Sequence, residues 1–336
     1  MCRFVNKIAP LLPNRLIVCD VGARLGIGEP WSRFRDLISL ISFEPEKDEF
    51  ELLKQNKDTN DIVLQHALYK NNENVSFNVT KLIGASSLYK PNYNFLDNYP
   101  NSERFKVENV VDIEVTTLDT LYRDEIFVDM DFIKVDAQGA ELDILEGGER
   151  VLSKNVIGVE VEVEFQLMYE KQPLFADVDH FIRNKLGLQI QDIRKTYWKH
   201  PAGINIGSKK GQLIFGDALY FRAPYEMLSW CSDFDRDKAS NKILMACLMG
   251  IVYGYLDYSL CLLNQPSIHD FLEKEMVDNW KSLILRYGKS FQYNGKGQGK
   301  LSSILNMLYR MCQPTRDGWA SLGHHLGARK KYGIFT

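Results

Sequence analysis

An acid followed by closely spaced glycines is the first feature of this sequence that could do chemistry. Residues 16–28 read LIVCDVGARLGIG, so a short apolar run reaches Asp20 and then breaks at Gly22 and Gly26. Glycine tolerates positive φ and lets a ligand approach the backbone closely. In open α/β sheets, ligands bind at such turns at the carboxyl ends of strands. From this stretch alone, an ordinary strand–turn is the alternative.

A second acid, Glu44, ends the next apolar run and is followed by Pro45. It follows Gly22 at about the 20-residue spacing at which a carboxylate accepts the ribose hydroxyls of a bound nucleotide. The sequence has neither a full G-x-G-x-x-G motif nor a phosphate-binding Lys-Ser/Thr pair after the loop. These features together indicate a nucleoside cofactor that lacks phosphates.

A third acid, Asp136, closes the apolar run FIKVD and is followed by Gln138 and Glu141. It mirrors Asp20, so both acids are predicted at the same edge of the sheet. Asp136 is the first choice to accept a proton from a hydroxyl group, with Gln138 and Glu141 orienting the acceptor or the base. As alternatives, Asp136 caps the following helix, or Glu141 stabilises the first helical turn through the helix dipole.

Three glutamates, Glu160, Glu162 and Glu164, lie two residues apart and therefore point the same way along a predicted strand. Adjacent buried carboxylates repel, so some of them must be exposed, paired or protonated. Glu164 is nearest the carboxyl end and is expected to reach the site. The acids Asp136, Glu141 and Glu164 could alternatively bind a divalent cation. Because no tight ligand spacing is visible, no metal is expected.

Two other side chains near these motifs have open roles. His66 could act as a base because its ordinary pKa lies near neutrality, and a structural histidine is the alternative. Arg24 could reach a carboxylate of a cofactor or substrate, or it could point to solvent.

The elements that position these residues alternate between strand-like and helix-like patterns. Strands are predicted at 16–21, 41–43, 62–68, 132–136 and 156–165, helices at 31–40, 46–56, 142–152 and 176–186, and a final antiparallel pair at 188–193 and 218–221. Residues 69–122 form a β-rich insertion, in which 89–108 could cover a substrate. The alternation predicts a doubly wound parallel sheet of the α/β class.

Residues 226–336 have a mostly helical pattern, with an amphipathic segment at 267–287 and a linker at 295–300 before a last helix. Residues 243–263 are apolar, but Asp257 and several tyrosines interrupt them, so a buried helix is predicted rather than a membrane span. Ala246, Gly250 and Gly254 share one helical face and allow a second helix to approach closely. That helix could belong to the same chain or to a homo-oligomer.

The composition is that of a soluble globular protein. The 336 residues are 45% hydrophobic and 25% charged, and the net charge of −3 gives no general attraction to nucleic acid. The six cysteines show no paired spacing, so free thiols in a reducing compartment are expected. No apolar leader precedes residue 16, and a cytoplasmic location is predicted.

These motifs resemble those of the FkbM family of S-adenosylmethionine-dependent methyltransferases. The resemblance is carried by DVGARLG at 20–26, FEP at 43–45, TLD at 117–119, IKVDAQGAE at 133–141 and the run from EVEF to YEKQP at 162–173. It covers about residues 15–223 and implies a class I, Rossmann-like methyltransferase sheet of seven strands with a reversed last hairpin. The domain prediction is therefore a methyltransferase domain at 1–225 and a helical extension at 226–336, which selects the acceptor or mediates oligomerisation.

The resemblance also implies roles for individual residues. The cofactor, S-adenosylmethionine, would contact Asp20, Gly22, Ala23, Gly26, Glu44, Pro45, Ala67 and Leu68, and the acceptor would contact Glu164, Tyr169 and Gln172. The implied reaction is O-methylation of a hydroxyl on a sugar, a glycan or a related small molecule. An NAD-type oxidoreductase is one alternative, although no second phosphate loop or nicotinamide pocket is found. A non-catalytic assembly module that binds the cofactor is the other.

Overall fold

The computed structural model of the chain describes residues 2–24, 26–206, 210–288 and 319–322. The strands are β1 (Leu16–Val21), β2 (Ile38–Phe43), β3 (Ile62–Leu64), β4 (Ala67–Leu68), β5 (Glu73–Thr80), β6 (Val107–Thr116), β7 (Phe132–Val135), β8 (Gly158–Glu164), β9 (Gln189–Trp198), β10 (Gln212–Phe221) and β11 (Ala320–Leu322).

The helices are α1 (Cys2–Ile8), α2 (Lys47–Asn56), α3 (Tyr93–Leu96), α4 (Leu118–Arg123), α5 (Glu141–Glu146), α6 (Glu149–Asn155), α7 (Phe175–Phe181), α8 (Pro224–Cys231), α9 (Arg236–Tyr253), α10 (Leu256–Leu263) and α11 (Lys274–Tyr287). Short 3-10 turns lie at Ala9–Leu11, Trp31–Leu37, Ile83–Ala85, Ser102–Phe105, Pro201–Gly203 and Pro266–Asp270, and a π-helical turn lies at Ile182–Leu186.

The main sheet has the strand order β11-β9-β10-β8-β7-β1-β2-β3. Strands β3, β2, β1, β7 and β8 are parallel, and β10 runs antiparallel to both β8 and β9. This arrangement confirms the predicted doubly wound class I methyltransferase sheet with a reversed last hairpin. The expected number of seven strands is wrong for the described chain, because β11 adds an eighth strand beside β9.

The predicted β-rich insertion is a separate three-stranded sheet of order β4-β6-β5. The prediction of one continuous strand at 62–68 is wrong, since that segment is shared between the two sheets. Strand β3 pairs with β2 in the main sheet, whereas β4 pairs with β6. His66 lies between them and is exposed.

Two predicted crossover helices differ from the structure. The helix at 31–40 is only the 3-10 turn Trp31–Leu37, because β2 already begins at Ile38. The helix at 142–152 is divided into α5 and α6 at Gly147 and Gly148. A Cβ at Gly147 would lie 2.1 Å from the carbonyl oxygen of Tyr69, so glycine permits the close approach of the insertion at this break.

The two faces of the main sheet are covered by different parts of the chain. Helices α4–α7 pack on one face, in a core that contains Ile133 and Val135 of β7. Helices α1 and α8–α11 and the turn Trp31–Leu37 cover the other face, in a core that contains Val18, Phe132 and Phe221. The helical region after residue 225 therefore shares its core with the sheet. The domain boundary at 225 stays a prediction.

The apolar segment 243–263 is two helices and not one. Helix α9 ends at Gly254, whose φ of 84° reverses the chain into α10. A Cβ at Gly250 would lie 2.5 Å from Ser259 Oγ, so the small residues allow α10 to approach α9 within the same chain. The amphipathic segment 267–287 is likewise a 3-10 turn followed by α11. The predicted linker at 295–300 and the last helix lie outside the described residues.

No helix among the described residues has the length and apolarity needed to cross a membrane. Of the six cysteines, Cys19, Cys231, Cys247 and Cys261 are free thiols, as predicted for these four.

A buried ion network joins the C-terminal helices to the sheet. Lys242 of α9 is fully buried, and its Nζ lies 2.9 Å from Asp129 Oδ1 and 2.7 Å from Asp131 Oδ1. It also donates to the carbonyl oxygen of Met130 at 2.9 Å. Asp131 Oδ2 in turn accepts from the backbone N–H of Ile17 at 2.8 Å. One ammonium group thus joins α9 to the starts of β7 and β1.

We expect Lys242→Met to destabilise the protein strongly, because it leaves two buried or half-buried carboxylates without their cation. Breaking a buried ion pair costs about 3–5 kcal/mol. Urea unfolding at neutral pH measures the change, and Lys274→Met at the exposed start of α11 is the matched control. Equal stability of Lys242→Met and the control would show that the network is energetically neutral.

Candidate functional site

A row of polar side chains crosses one face of the main sheet near its carboxyl edge. The register places Asp20 of β1 beside Lys134 of β7, and Lys134 beside Glu160 of β8. Lys134 Nζ lies 3.7 Å from Asp20 Oδ1 and 3.6 Å from Asp136 Oδ2. Burial opposes the charge on Lys134, but Asp20 and Asp136 outweigh burial and raise its pKa. Lys134 is therefore a cation shared by the first and third acids of the sequence motifs.

The same face carries a second polar group on the reversed strand. Asp217 of β10 lies opposite Glu162 of β8 and opposite Arg194 of β9. Arg194 Nε donates to Asp217 Oδ2 at 2.8 Å. Glu162 is thus next to an acid that already has its own cation.

The glycine loop packs directly against the Asp136 turn. The N–H groups of Gly22 and Ala23 both donate to the carbonyl oxygen of Phe43 at 3.2 Å. Gly22 has φ of 77°, and a Cβ there would lie 2.1 Å from the carbonyl oxygen of Asp136. The turn is closed by Gly26, whose N–H donates to Ala23 at 2.8 Å. Any side chain at residue 22 would separate the two loops.

Glu44 lies at the carboxyl end of β2, as predicted, and is buried, whereas Pro45 is exposed. One carboxylate oxygen of Glu44 accepts from the backbone N–H of Glu46 at 3.0 Å, and burial raises its pKa. Arg24 forms an ion pair with Glu49 of α2 at 3.1 Å and is partly exposed. Its guanidinium is thus bound to the protein itself.

Ala67 and Leu68, predicted as the end of the third strand, pair with β6 in the three-stranded sheet instead. Ala67 is half-buried, and Leu68 packs in the core that contains Phe43 and Leu118. Contact of Ala67 and Leu68 with an adenine ring stays a prediction.

Gln138 has the strained backbone of the site, with φ of 55°. Its Nε2 donates to Asp136 Oδ1 at 3.2 Å and to Glu162 Oε2 at 2.9 Å. Ser87 of the insertion donates to the carbonyl oxygen of Gln138 at 2.6 Å, and the Tyr169 hydroxyl oxygen lies 3.3 Å from Gln138 Oε1. Positive φ at a non-glycine residue is strained and persists only where surrounding contacts hold it. The amide is held as a bridge between the carboxylates of two neighbouring strands.

Glu141 is buried and directed back into the loop that precedes it. Its carboxylate accepts from the N–H of Ala137 at 2.7 Å and from the N–H of Gly139 at 2.9 Å. Burial raises the pKa of Glu141 to about 7, although these backbone hydrogen bonds oppose the rise. Glu141 therefore positions the turn that carries Asp136 and Gln138.

The three predicted acceptor residues, Glu164, Tyr169 and Gln172, lie together beneath this turn, and all are buried. A Cβ at Gly139 would lie 3.3 Å from Tyr169 Cδ2 and 3.6 Å from Gln172 Cβ. Tyr169 donates through its hydroxyl to the carbonyl oxygen of Ala85 at 3.0 Å, and its N–H donates to Gln172 Oε1. The structure brings the three residues together, and their contact with an acceptor stays a prediction.

The carboxylates of β8 lie in an unfavourable electrostatic environment. Burial raises the pKa of Glu162 well above its usual range, and Asp136 and Glu164 raise it further. Burial also raises the pKa of Glu164 well above its usual range, with Glu141 and Asp136 adding to the effect. Glu160 has its pKa raised to about 7 by burial, although the hydroxyl of Tyr253 donates to its carboxylate.

Three residues of this site have no assigned role in the sequence prediction. Lys134 is the one charged residue in the apolar run 132–135, and this isolated charge is the sequence feature that could have indicated a role. Glu162 belongs to the alternating glutamates but was not singled out. Tyr253 comes from α9, far along the chain, and no local pattern connects it with Glu160.

The strand order, the glycine turn after β1 and the acid at the end of β2 together define a class I methyltransferase. The sequence profile of the methyltransferase FkbM domain matches residues 20–187, which is half of the chain. The chain belongs to this family, as the sequence motifs predicted. No match was found among curated proteins.

Solved structures of methyltransferases are similar to the chain. Methyltransferase FkbM from Methylobacillus flagellatus KT is 19% identical with a TM-score of 0.36, over 62% of this chain and 43% of that chain. This chain thus spans less than half the length of that relative. Magnesium protoporphyrin IX methyltransferase from Synechocystis PCC 6803 is 9% identical with a TM-score of 0.32, over 65% and 76% of the two chains. TrmK from M. capricolum is 7% identical with a TM-score of 0.32, over 83% and 96%.

The cofactor of the family is S-adenosylmethionine, and the residues of this chain fit it. Glycine at residue 22 lets the turn after β1 pack against the Asp136 backbone without a side chain on it, and Glu44 is a buried carboxylate at the end of β2. Asp20 Oδ1 is buried and accepts no hydrogen bond, and its ion pair with Lys134 Nζ is long, at 3.7 Å. These groups suit a ligand with ribose hydroxyls and an ammonium group and need no phosphate contact.

We expect Gly22→Ala to weaken binding of S-adenosylmethionine by at least about tenfold, or about 1.4 kcal/mol. The new Cβ meets a backbone oxygen, and alanine at positive φ is strained. Calorimetric titration measures the dissociation constant. Gly28→Ala is the matched control, because a Cβ at Gly28 has no neighbour within 4 Å. Equal losses in both variants would contradict a specific role of the Gly22 turn.

Proposed function

We propose that this protein transfers a methyl group from S-adenosylmethionine to a hydroxyl of a sugar, a glycan or a related small molecule. The observation that carries this proposal is the contact between the Gly22 turn and the Asp136 turn. It joins the cofactor side of the sheet to a group of carboxylates and amides at the ends of β7 and β8. When bound, the cofactor supplies an electrophilic methyl group on a sulfonium.

The chain's own residues supply alignment and a proton acceptor. Asp136 stands at the junction of the two turns, and 38% of its side chain is exposed. We assign to its carboxylate the proton of the acceptor hydroxyl. The acceptor O–H bond breaks as its oxygen bonds to the methyl carbon, and the carbon–sulfur electron pair stays on sulfur. Gln138 and Lys134 hold Asp136 in orientation, because each contacts one of its carboxylate oxygens.

The surroundings of Asp136 suit a neutral, hydroxyl-bearing acceptor. Asp136 and Glu162 offer carboxylate oxygens as hydrogen-bond acceptors at the partly exposed edge of the site. The carboxylates disfavour an anionic acceptor through charge repulsion. Glu164, Tyr169 and Gln172 lie below this edge and would act on the acceptor by positioning Gln138 and Glu162. The narrower assignment to sugars and glycans rests on the resemblance to the FkbM family.

We expect Asp136→Asn to lower kcat by about 10²–10⁴-fold while leaving the dissociation constant of S-adenosylmethionine unchanged, since asparagine keeps the shape but removes the base. A screen of neutral hydroxyl acceptors with labelled methyl donor identifies the substrate, and calorimetry measures cofactor binding. Asp112→Asn on the exposed side of β6 is the matched control. Full activity of Asp136→Asn would show that Asp136 is not the proton acceptor.

Glu44→Ala separates the methyltransferase from the two alternatives. We expect the wild-type chain to bind S-adenosylmethionine and not NAD, and the variant to bind the methyl donor at least about tenfold more weakly, because a ribose partner is lost. Calorimetry with both cofactors gives the comparison. Binding of NAD alone would support the oxidoreductase. Methyl-donor binding without transfer to any acceptor would support the assembly module.

A further inference from the structure

Three buried or half-buried carboxylates converge at the carboxyl end of β8. One oxygen from each of Glu141, Glu162 and Glu164 lies within 4.8 Å of the other two. The sequence shows no ligand motif because one residue begins α5 and the other two alternate along a strand. Three carboxylate oxygens at such separations can converge on one metal ion.

Each of the three carboxylates has a neighbour that orients it. Backbone N–H groups of the preceding turn hold Glu141. The Gln138 amide donates to Glu162 at 2.9 Å. Gln172 lies beside Glu164 and opposes the rise of its pKa. Outer hydrogen bonds such as those to Glu141 and Glu162 orient the ligands of metal sites.

The cluster has no cation of its own among the described residues. Lys134 pairs with Asp20 and Asp136, and Arg194 pairs with Asp217. No described lysine or arginine nitrogen lies within 4.0 Å of the three glutamates. Because buried charges are normally paired or bind a metal, the trio must take up protons or a cation.

A second feature beside the cluster indicates a ligand. Gln172 is 4% exposed, and its Nε2 is buried without a hydrogen-bond partner. Its Oε1 already accepts from the N–H of Tyr169, so the amide cannot turn over without losing that bond. The amide acts on Glu164, whose pKa it lowers against the effect of burial, so the unpaired Nε2 lies on the Glu164 side of the cluster. It calls for an oxygen there, such as a water or hydroxyl bound to a metal ion.

We propose that Glu141, Glu162 and Glu164 bind one divalent cation of the Mg²⁺ or Mn²⁺ class. Carboxylate oxygens are the ligands that such hard cations prefer. Three protein oxygens leave coordination positions on such an ion for water and for one hydroxyl of an acceptor. Glu162 is partly exposed, so an ion can reach the site from solvent past this residue.

The catalytic role of this cation rests on the proposed methyl transfer, whereas its binding does not. A bound cation lowers the pKa of a coordinated hydroxyl. The proton of that hydroxyl passes to Asp136, and the resulting oxygen attacks the methyl carbon. The cation also removes the repulsion among the three glutamates, so binding stabilises the fold.

Mn²⁺ is the probe for the test, used with the full chain and without substrate. Electron paramagnetic resonance counts free Mn²⁺ during titration, and thermal unfolding is followed with Mn²⁺ or with a chelator. We expect one site per chain, with binding weakened at least about tenfold in Glu164→Gln. Glu103→Gln is the matched control, since its side chain is 74% exposed.

In chelator, Glu164→Gln should unfold at the wild-type Tm or above, because a repulsive charge is gone. Mn²⁺ should raise the Tm of the wild type and leave that of Glu164→Gln unchanged.

Absence of saturable Mn²⁺ binding, or equal binding by the wild type, Glu162→Gln and Glu164→Gln, would overturn the cation site. In that case the carboxylates share protons instead. Methyl transfer at full rate in chelator would overturn the catalytic role and leave the proposed function standing. Mn²⁺ binding at the trio without transfer to any acceptor would leave the site standing and count against the proposed function.

Discussion

The constraint on which this structure depends is the burial of more carboxylates than cations at one edge of a parallel sheet. The register of β1, β7 and β8 puts Asp20, Lys134 and Glu160 side by side, so one lysine serves several acids. Desolvation of ionised carboxylates is costly, so each must be paired, hydrogen-bonded or neutralised. The strained backbone of Gln138 and the inward direction of Glu141 are the local arrangements that meet this requirement.

This arrangement also joins the proposed methyl-donor side of the site to the proposed acceptor side. The Gly22 turn touches the Asp136 turn through backbone atoms, and Gln138 connects Asp136 to Glu162 on the next strand. The insertion contributes through Ser87, which donates to the Gln138 carbonyl. Displacement of any one of these parts would therefore change the orientation of Asp136, the proposed proton acceptor.

Sequence patterns predicted those parts of the fold that depend on local physics. Strand β1 was predicted to the residue, because an apolar run bounded by proline, asparagine and glycine has clear ends. The acids at the ends of β1, β2 and β7 and the helix stop at Gly187 were found for the same reason. The assignment of a shared edge to Asp20 and Asp136 followed from the parallel connectivity of the sheet.

The structural features that sequence patterns did not predict depend on contacts between residues far apart in the chain. The segment 62–68 divides between two sheets because β6, far along the chain, pairs with Ala67 and Leu68. The partners of Lys134 follow from strand register, and the approach of Tyr253 to Glu160 follows from the packing of α9 on the sheet. Nothing in the alternation of glutamates on β8 distinguishes Glu162 from its neighbours.

The position of α8–α11 shows that the family match and the packed core of the sheet end at different places in this chain. The family match ends at residue 187, before the reversed hairpin and before the helices that shield Phe132 and Val18. A gene fragment that encodes only residues 20–187 lacks this wall and leaves apolar sheet surface facing water. It also lacks Tyr253, the partner of Glu160. In this protein, the family match ends inside a shared hydrophobic core, and a helix beyond it supplies the hydroxyl that donates to Glu160.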